Sequence, residues 1–198
     1  MNPKEIEKKG GKEMGKQTNF MMTKRTSIIY PEYTEDGELH AKVMENNILH
    51  SVALTPTRII DLNLRFHGSS LRGAYDGSRT ILDGPDLTML PIIINEKLSM
   101  YWFPSKSPYK EDCVWFGLLS IKSYHRFREK QTRVVFENGA LFILDSSYSS
   151  FDEKYKRACK LKTANDRRTD LLMVCETAES AEYLISLDRE KRNYFVEE

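Results

Sequence analysis

The sequence contains no apolar run long enough to cross a bilayer and no signal-peptide pattern at its start. Its three cysteines, Cys113, Cys159 and Cys175, are odd in number and widely spaced. They form no C-x-x-C pair and no cysteine–histidine ligand spacing, which predicts a reducing cytoplasm, no structural zinc and no cofactor. G-x-S-x-G, H-E-x-x-H and paired-carboxylate patterns are missing, so hydrolase chemistry has no candidate. Gly68 and Gly73 have the spacing of a phosphate loop, but Ala74 stands where a lysine must reach the phosphates. His125-Arg126-Phe127-Arg128 has the H-x-x-R spacing of strand-transfer enzymes, with Arg72 and Tyr148 or Tyr155 as the further groups needed. Four-residue patterns of this kind are common by chance, and no enzymatic activity is expected. Net charge is nearly absent too, at +1 over 198 residues.

That small sum hides a segregated pattern. Residues 1–25 carry seven Lys/Arg against three Glu, and residues 122–168 carry twelve Lys/Arg against six Asp/Glu. The rest of the chain is therefore acidic. An ordinary solvated surface does not require such separation, whereas a polyanionic partner does.

Residues 1–25 read as a basic, disordered tail. From residue 26 to 198 the pattern is that of one domain, α+β in class, with antiparallel hairpins forming a mixed core sheet. Ser27–Tyr30 reads as a strand ended by Pro31. Asn46-Asn47, Asn95-Glu96-Lys97 and Asn138-Gly139 read as hairpin turns. Cys113–Tyr124 reads as one long strand. Two short helices meet at Gly68. The first has Thr55 as N-cap, Pro56 at its first position, and Ile59, Leu62 and Phe66 at helical spacing. The second is capped by Ser69 or Ser70 and turns Leu71, Ala74, Tyr75, Ser78 and Leu82 to one side. Arg72, Asp76 and Arg79 lie opposite. Ser150-Phe151-Asp152-Glu153 matches a capping box for a helix to about Lys162. Residues 163–170 read as a charged loop, Leu171–Val174 as a strand, and Ala178–Arg192 as a C-terminal helix with acids early and bases late.

The helix over 150–162 is the strongest binding signal, with four lysines and one arginine within nine residues. It favours a nucleic-acid backbone as partner.

An ordered set of segments also resembles a known family. It comprises Arg65-Phe66-His67-Gly68-Ser69-Ser70, the Gly73–Gly77 run, Leu90-Pro91-Ile92-Ile93-Ile94, Phe103-Pro104-Ser105, Cys113-Val114-Trp115-Phe116 and Phe136-Glu137-Asn138-Gly139. Ser147-Tyr148-Ser149-Ser150-Phe151 and Tyr155-Lys156-Arg157-Ala158 complete it. From about Tyr30 to about Leu161 these resemble the ComK family, the competence transcription factors of Bacillus and related Gram-positive bacteria. The resemblance implies a cytoplasmic, nucleoid-associated activator of DNA-uptake genes. Such an activator binds paired A/T-rich boxes in double-stranded DNA, chiefly through the minor groove, and bends them. It implies a homo-oligomer, a dimer or dimer of dimers, with RNA polymerase and a Clp protease adaptor as further partners. Correspondence fades after Leu161, which weakens the expectation of the adaptor.

The family motifs do not say which residues touch DNA, so those come from charge and spacing. Arg65, Arg72 and Arg79 are one set, suited to a narrow minor groove. Lys154, Lys156, Arg157 and Lys160 are a second, suited to phosphates, with Arg126 and Arg128 beside them. The competing reading is a regulatory interaction protein that self-associates through strand edges without binding DNA.

Overall fold

The computed structural model describes residues 18–84, 88–173, 184–188 and 193–197. The chain divides into two compact units, one ending at Ala164 and the other running from Asn165. The elements in order are β1 (Thr26–Tyr33), β2 (Leu39–Glu45), β3 (Ile48–Val52), α1 (Pro56–Phe66) and α2 (Leu71–Leu82). Then come β4 (Ile92–Asn95), β5 (Met100–Pro104), β6 (Trp115–Gly117), β7 (Ile121–Arg128), β8 (Gln131–Phe136) and β9 (Leu141–Leu144). The long helix α3 (Tyr148–Met173) and strands β10 (Leu184–Asp188) and β11 (Asn193–Glu197) follow.

The first unit is built on a six-stranded sheet in the order β3-β2-β1-β6-β5-β4. Successive side chains of a strand point to opposite faces, so β1, β5 and β6 feed two cores at once. Ile28, Tyr101, Phe103 and Phe116 enter one core with Val134, Phe136, Phe151 and Leu161, beneath the β7-β8-β9 sheet and α3. Ile29, Trp102 and Trp115 enter the other with Ile59, Ile60 and Leu64 of α1. Burial on both faces explains why Met100–Phe103 reads as an unbroken apolar run rather than an alternation. Phe103 and Phe116 stack with centroids 5.6 Å apart, and Phe151 of α3 meets both edge-on, at 5.6 and 5.3 Å. Such ring pairs contribute about 0.5–1.5 kcal/mol each beyond their buried area.

The α+β class stands, and every strand pairing among the described residues is antiparallel, so the mixed sheet expected is not found. Four further expectations are corrected. Pro31 does not end β1; it pairs with Ala41, and β6 reaches only Ile28 and Ile29. One side of β1 is thus an edge at Pro31, where a missing N–H costs nothing. The long strand over Cys113–Tyr124 is broken at Gly117, where the chain leaves one sheet for the other. A Cβ there would lie 2.9 Å from the Ser120 hydroxyl and 3.2 Å from the Thr26 carbonyl, so a side chain has no room.

The third correction concerns α3, which continues through the expected loop 163–170 to Met173. No glycine or proline follows Gly139 to stop it. It also starts earlier than the Ser150 capping box. Ser147 is the cap, its hydroxyl accepting from Ser150 N at 3.3 Å. The fourth is the C-terminal helix: Leu184–Asp188 and Asn193–Glu197 form an antiparallel hairpin, with Ile185 opposite Val196 and Leu187 opposite Tyr194. The β-formers Tyr194, Phe195 and Val196 outweigh the charge gradient that suggested a helix. Packed structure also begins inside the stretch assigned to the tail, because Phe20 and Met22 are buried in the α1-side core.

Candidate nucleic-acid interface

The α1–α2 elbow follows from local chemistry. Thr55 caps α1, its hydroxyl accepting from Arg58 N, and Pro56 opens it. Gly68 follows α1 with φ +82°, a conformation that a side chain disfavours. Ser70 caps α2 by accepting from Gly73 N at 3.1 Å. Ser78 and Leu82 are buried, while Leu71, Ala74 and Tyr75 pack partly buried against the core. Arg72, Asp76 and Arg79 are exposed, as the helical spacing predicts. Phe66 departs from expectation: it is 68% exposed. Its place inward is taken by Leu64 and Asn63, both fully buried.

Arg65 and Arg72 line one open groove of about 630 Å³, together with Arg58, Asp61 and Tyr109. Arg79 lines a second depression of about 400 Å³, with Tyr75 and Thr88. Pro108 and Tyr109 border both, and Tyr109 stands 88% exposed between them. The elbow therefore brings Arg65 and Arg72 together and sets Arg79 across a tyrosine from them. Arg65 Nε donates to Asp61 Oδ2 at 2.8 Å and Arg58 Nη1 to the same oxygen at 3.3 Å. Arg79 pairs with Asp76 at 3.0 Å. Arg72 has no carboxylate partner among the described residues. Exposed pairs of this sort hold their arginines by only about 0.2–1 kcal/mol, so a phosphate can displace them.

Asp61 also accepts from Leu71 N at 3.1 Å, across the elbow. Its partial burial pushes the carboxyl up. The hydrogen bonds from Arg65 and Leu71 and the charges of Arg65 and Arg58 outweigh that and hold it below the usual carboxylate range.

The second set is less uniform than its charge suggests. Lys154 is only 8% exposed, and its ammonium donates to the Ser150 hydroxyl at 2.6 Å and the Ser150 carbonyl at 3.0 Å. Burial depresses its pKa. Of the four residues grouped as suited to phosphates, Lys154 is thus the one that the helix turns inward. Lys156 is exposed and paired with Asp152 at 2.7 Å; Asp152 also accepts from the Tyr124 hydroxyl of β7. Those two hydrogen bonds hold Asp152 below the ordinary carboxylate range, and the Asp152 bond raises the Lys156 ammonium. Arg157 donates to the Thr88 carbonyl at 2.8 Å, and Thr88 also lines the Arg79 depression. Arg157 thus ties α3 to one residue of the Arg79 depression. Lys160 is exposed. Arg126 and Arg128 lie on the exposed end of β7 and line neither groove. The Arg128 guanidinium sits over the Phe127 ring, 5.4 Å from its centroid.

Arg58, Asp61 and Tyr109 are missed by the sequence reading. Arg58 had a usable signal, because Arg58, Arg65, Arg72 and Arg79 recur every seven residues. Seven residues are nearly two helical turns, so each pair shares one helix face. Tyr109 had none, since it comes from the loop between β5 and β6 and joins the arginines only in the fold. No helix of the described residues is long and apolar enough to cross a membrane.

A family model described as the ComK protein matches residues 17–170. The chain is 28% identical over 145 residues to the competence transcription factor of Bacillus subtilis (strain 168), covering 73% of this chain and 74% of that protein. No solved structure matches.

Proposed function

The chain belongs to the ComK family, and from that premise we propose that it is a transcription activator of competence genes. It binds paired A/T-rich boxes largely through the minor groove, as an oligomer that bends its site and works with RNA polymerase. The observation that carries this reading is the juxtaposition of Arg58, Arg65 and Arg72 in one open groove beside Tyr109. Three guanidiniums converge there on a concavity that no buried core requires. A narrow A/T minor groove deepens the negative potential that attracts such side chains. Tyr109 supplies an exposed ring and hydroxyl that reach sugar or base edges. The stretch bearing these groups lies in the first unit.

A direct test titrates a labelled duplex with two A/T boxes against a G/C-rich duplex of equal length, at fixed salt. The box duplex is expected to bind on the order of a thousandfold more tightly. Equal affinities would refute sequence-specific binding, and no binding to either duplex would favour the strand-edge interaction protein.

The lysine face is expected to position DNA rather than read it. Lys156→Ala with Lys160→Ala is expected to flatten the salt dependence of binding by about 1.8 in the log–log slope, at roughly 0.9 per neutralised phosphate. Affinity falls equally for box and random duplexes. Lys154→Met leaves the slope unchanged, because that ammonium is already spent on Ser150. A drop in slope for Lys154→Met would show that the buried lysine swings out on binding.

A further inference from the structure

An acid inside a groove meant for a polyanion calls for a reason. Asp61 lies among Arg58, Arg65 and Arg72, and lowers the groove's positive charge by one. For affinity alone that is a loss. Its geometry shows what it contributes instead. Oδ2 takes Arg65 Nε at 2.8 Å and Arg58 Nη1 at 3.3 Å, while Oδ1 takes Leu71 N at 3.1 Å. Leu71 is the first residue of α2, whose leading N–H groups have no partner within the helix. One carboxylate therefore orients two arginines of α1 and fastens to them the start of the helix that carries Arg72 and Arg79. Because Arg65 is held through Nε, its two terminal nitrogens keep their donors for a ligand.

We propose that Asp61 is a positioning residue for base selection: it fixes Arg58, Arg65 and the α2 arginines as one reading surface, at the expense of overall affinity. The inference rests on the reading that this groove receives A/T-rich DNA. It makes the effect on specificity opposite in sign to the effect on non-specific binding. A carboxylate that merely stabilised the elbow would not produce that pattern.

The test is an anisotropy titration of box and random duplexes, over a salt series, with the full chain and two variants. Asp61→Asn keeps an acceptor for Leu71 N but removes the charge. Its random-duplex affinity is expected to rise, by up to roughly fivefold at 0.15 M salt, with a slope steeper by up to about 0.9. Its box-to-random ratio is expected to fall about tenfold, one contact's worth of discrimination. Asp61→Glu keeps the charge but displaces the carboxylate. Its random affinity and slope stay at the wild-type values, and its ratio falls as well. Should Asp61→Asn fail to fold, Asp61→Glu decides alone. A ratio within twofold of wild type in the folded variants overturns this inference alone, as does a parallel loss of both affinities. A wild-type protein with no box preference overturns the DNA reading and this inference together.

Discussion

Replacing Asn63 by leucine is expected to cost about 2–4 kcal/mol of folding stability, a large effect for one polar side chain in the α1–α2 elbow. Asn63 is fully buried on the inner side of α1. Its Nδ2 donates to the Phe20 carbonyl at 2.8 Å and to the Ile59 carbonyl at 2.9 Å, and its Oδ1 accepts from Met22 N at 2.8 Å. It thus latches the 20–22 segment to the helix bearing Arg58 and Arg65. Leucine leaves the Met22 N–H and the Phe20 carbonyl without partners, at about 1–3 kcal/mol each. The chain can escape that penalty by releasing the segment into water. It then loses the burial of Phe20 and Met22, about 1.5–3 kcal/mol per side chain. The cheaper route sets the observed cost.

Urea denaturation measures that cost as a fall in midpoint at nearly constant slope. The decisive control removes residues 1–22. In that background the groups that Asn63 serves are gone, and Asn63→Leu is expected to cost under about 1 kcal/mol. Costs that match in the two backgrounds would mean that Asn63 matters for packing within α1 and not as a latch.

The latch shows where sequence reading reaches its limit. The elbow itself was legible, because Thr55, Pro56, Gly68 and Ser70 act on backbone groups within three residues of themselves. Phe66 was misplaced by the same local logic. Its spacing fits the apolar face, but α1 ends there and the ring stays largely exposed, with the His67 ring edge-on to it at 5.1 Å. Asn63 gives no local sign of its role, since two of its three partners, Phe20 and Met22, lie more than forty residues earlier in the chain. The buried lysine is the converse case. Lys154 reads as surface by composition, yet its long stem runs inward and its head finds Ser150 one turn away. The arginine face of α2 was legible as a face. Its assembly with Arg58 and Tyr109 was not, since α1 meets the β5–β6 loop only in the folded chain.

Shifting the two A/T boxes relative to each other by half a helical turn is expected to collapse occupancy, while a full-turn shift is tolerated. The basic groups lie in two separated segments, the α1–α2 elbow and the stretch from β7 to α3, more than one helix face presents to straight DNA. Paired boxes call for at least two protomers, and a two-fold assembly offers equivalent surfaces to two half-sites. Bending a site of 20–30 base pairs by 40–90° costs on the order of 1–6 kcal/mol, so contacts on both boxes must offset it. Half a turn carries the second box to the far side of the duplex. Binding then drops to that of a single box, at least tenfold weaker, because even one mismatched base pair typically costs about 1–3 kcal/mol. Arg72→Ala weakens both spacings alike, since it acts within each half-site. Circular permutation reports the bend directly, with mobility lowest when the boxes sit mid-fragment. Equal occupancy at half-turn and full-turn spacings, or uniform mobility across the permuted fragments, would leave a monomer that binds without bending.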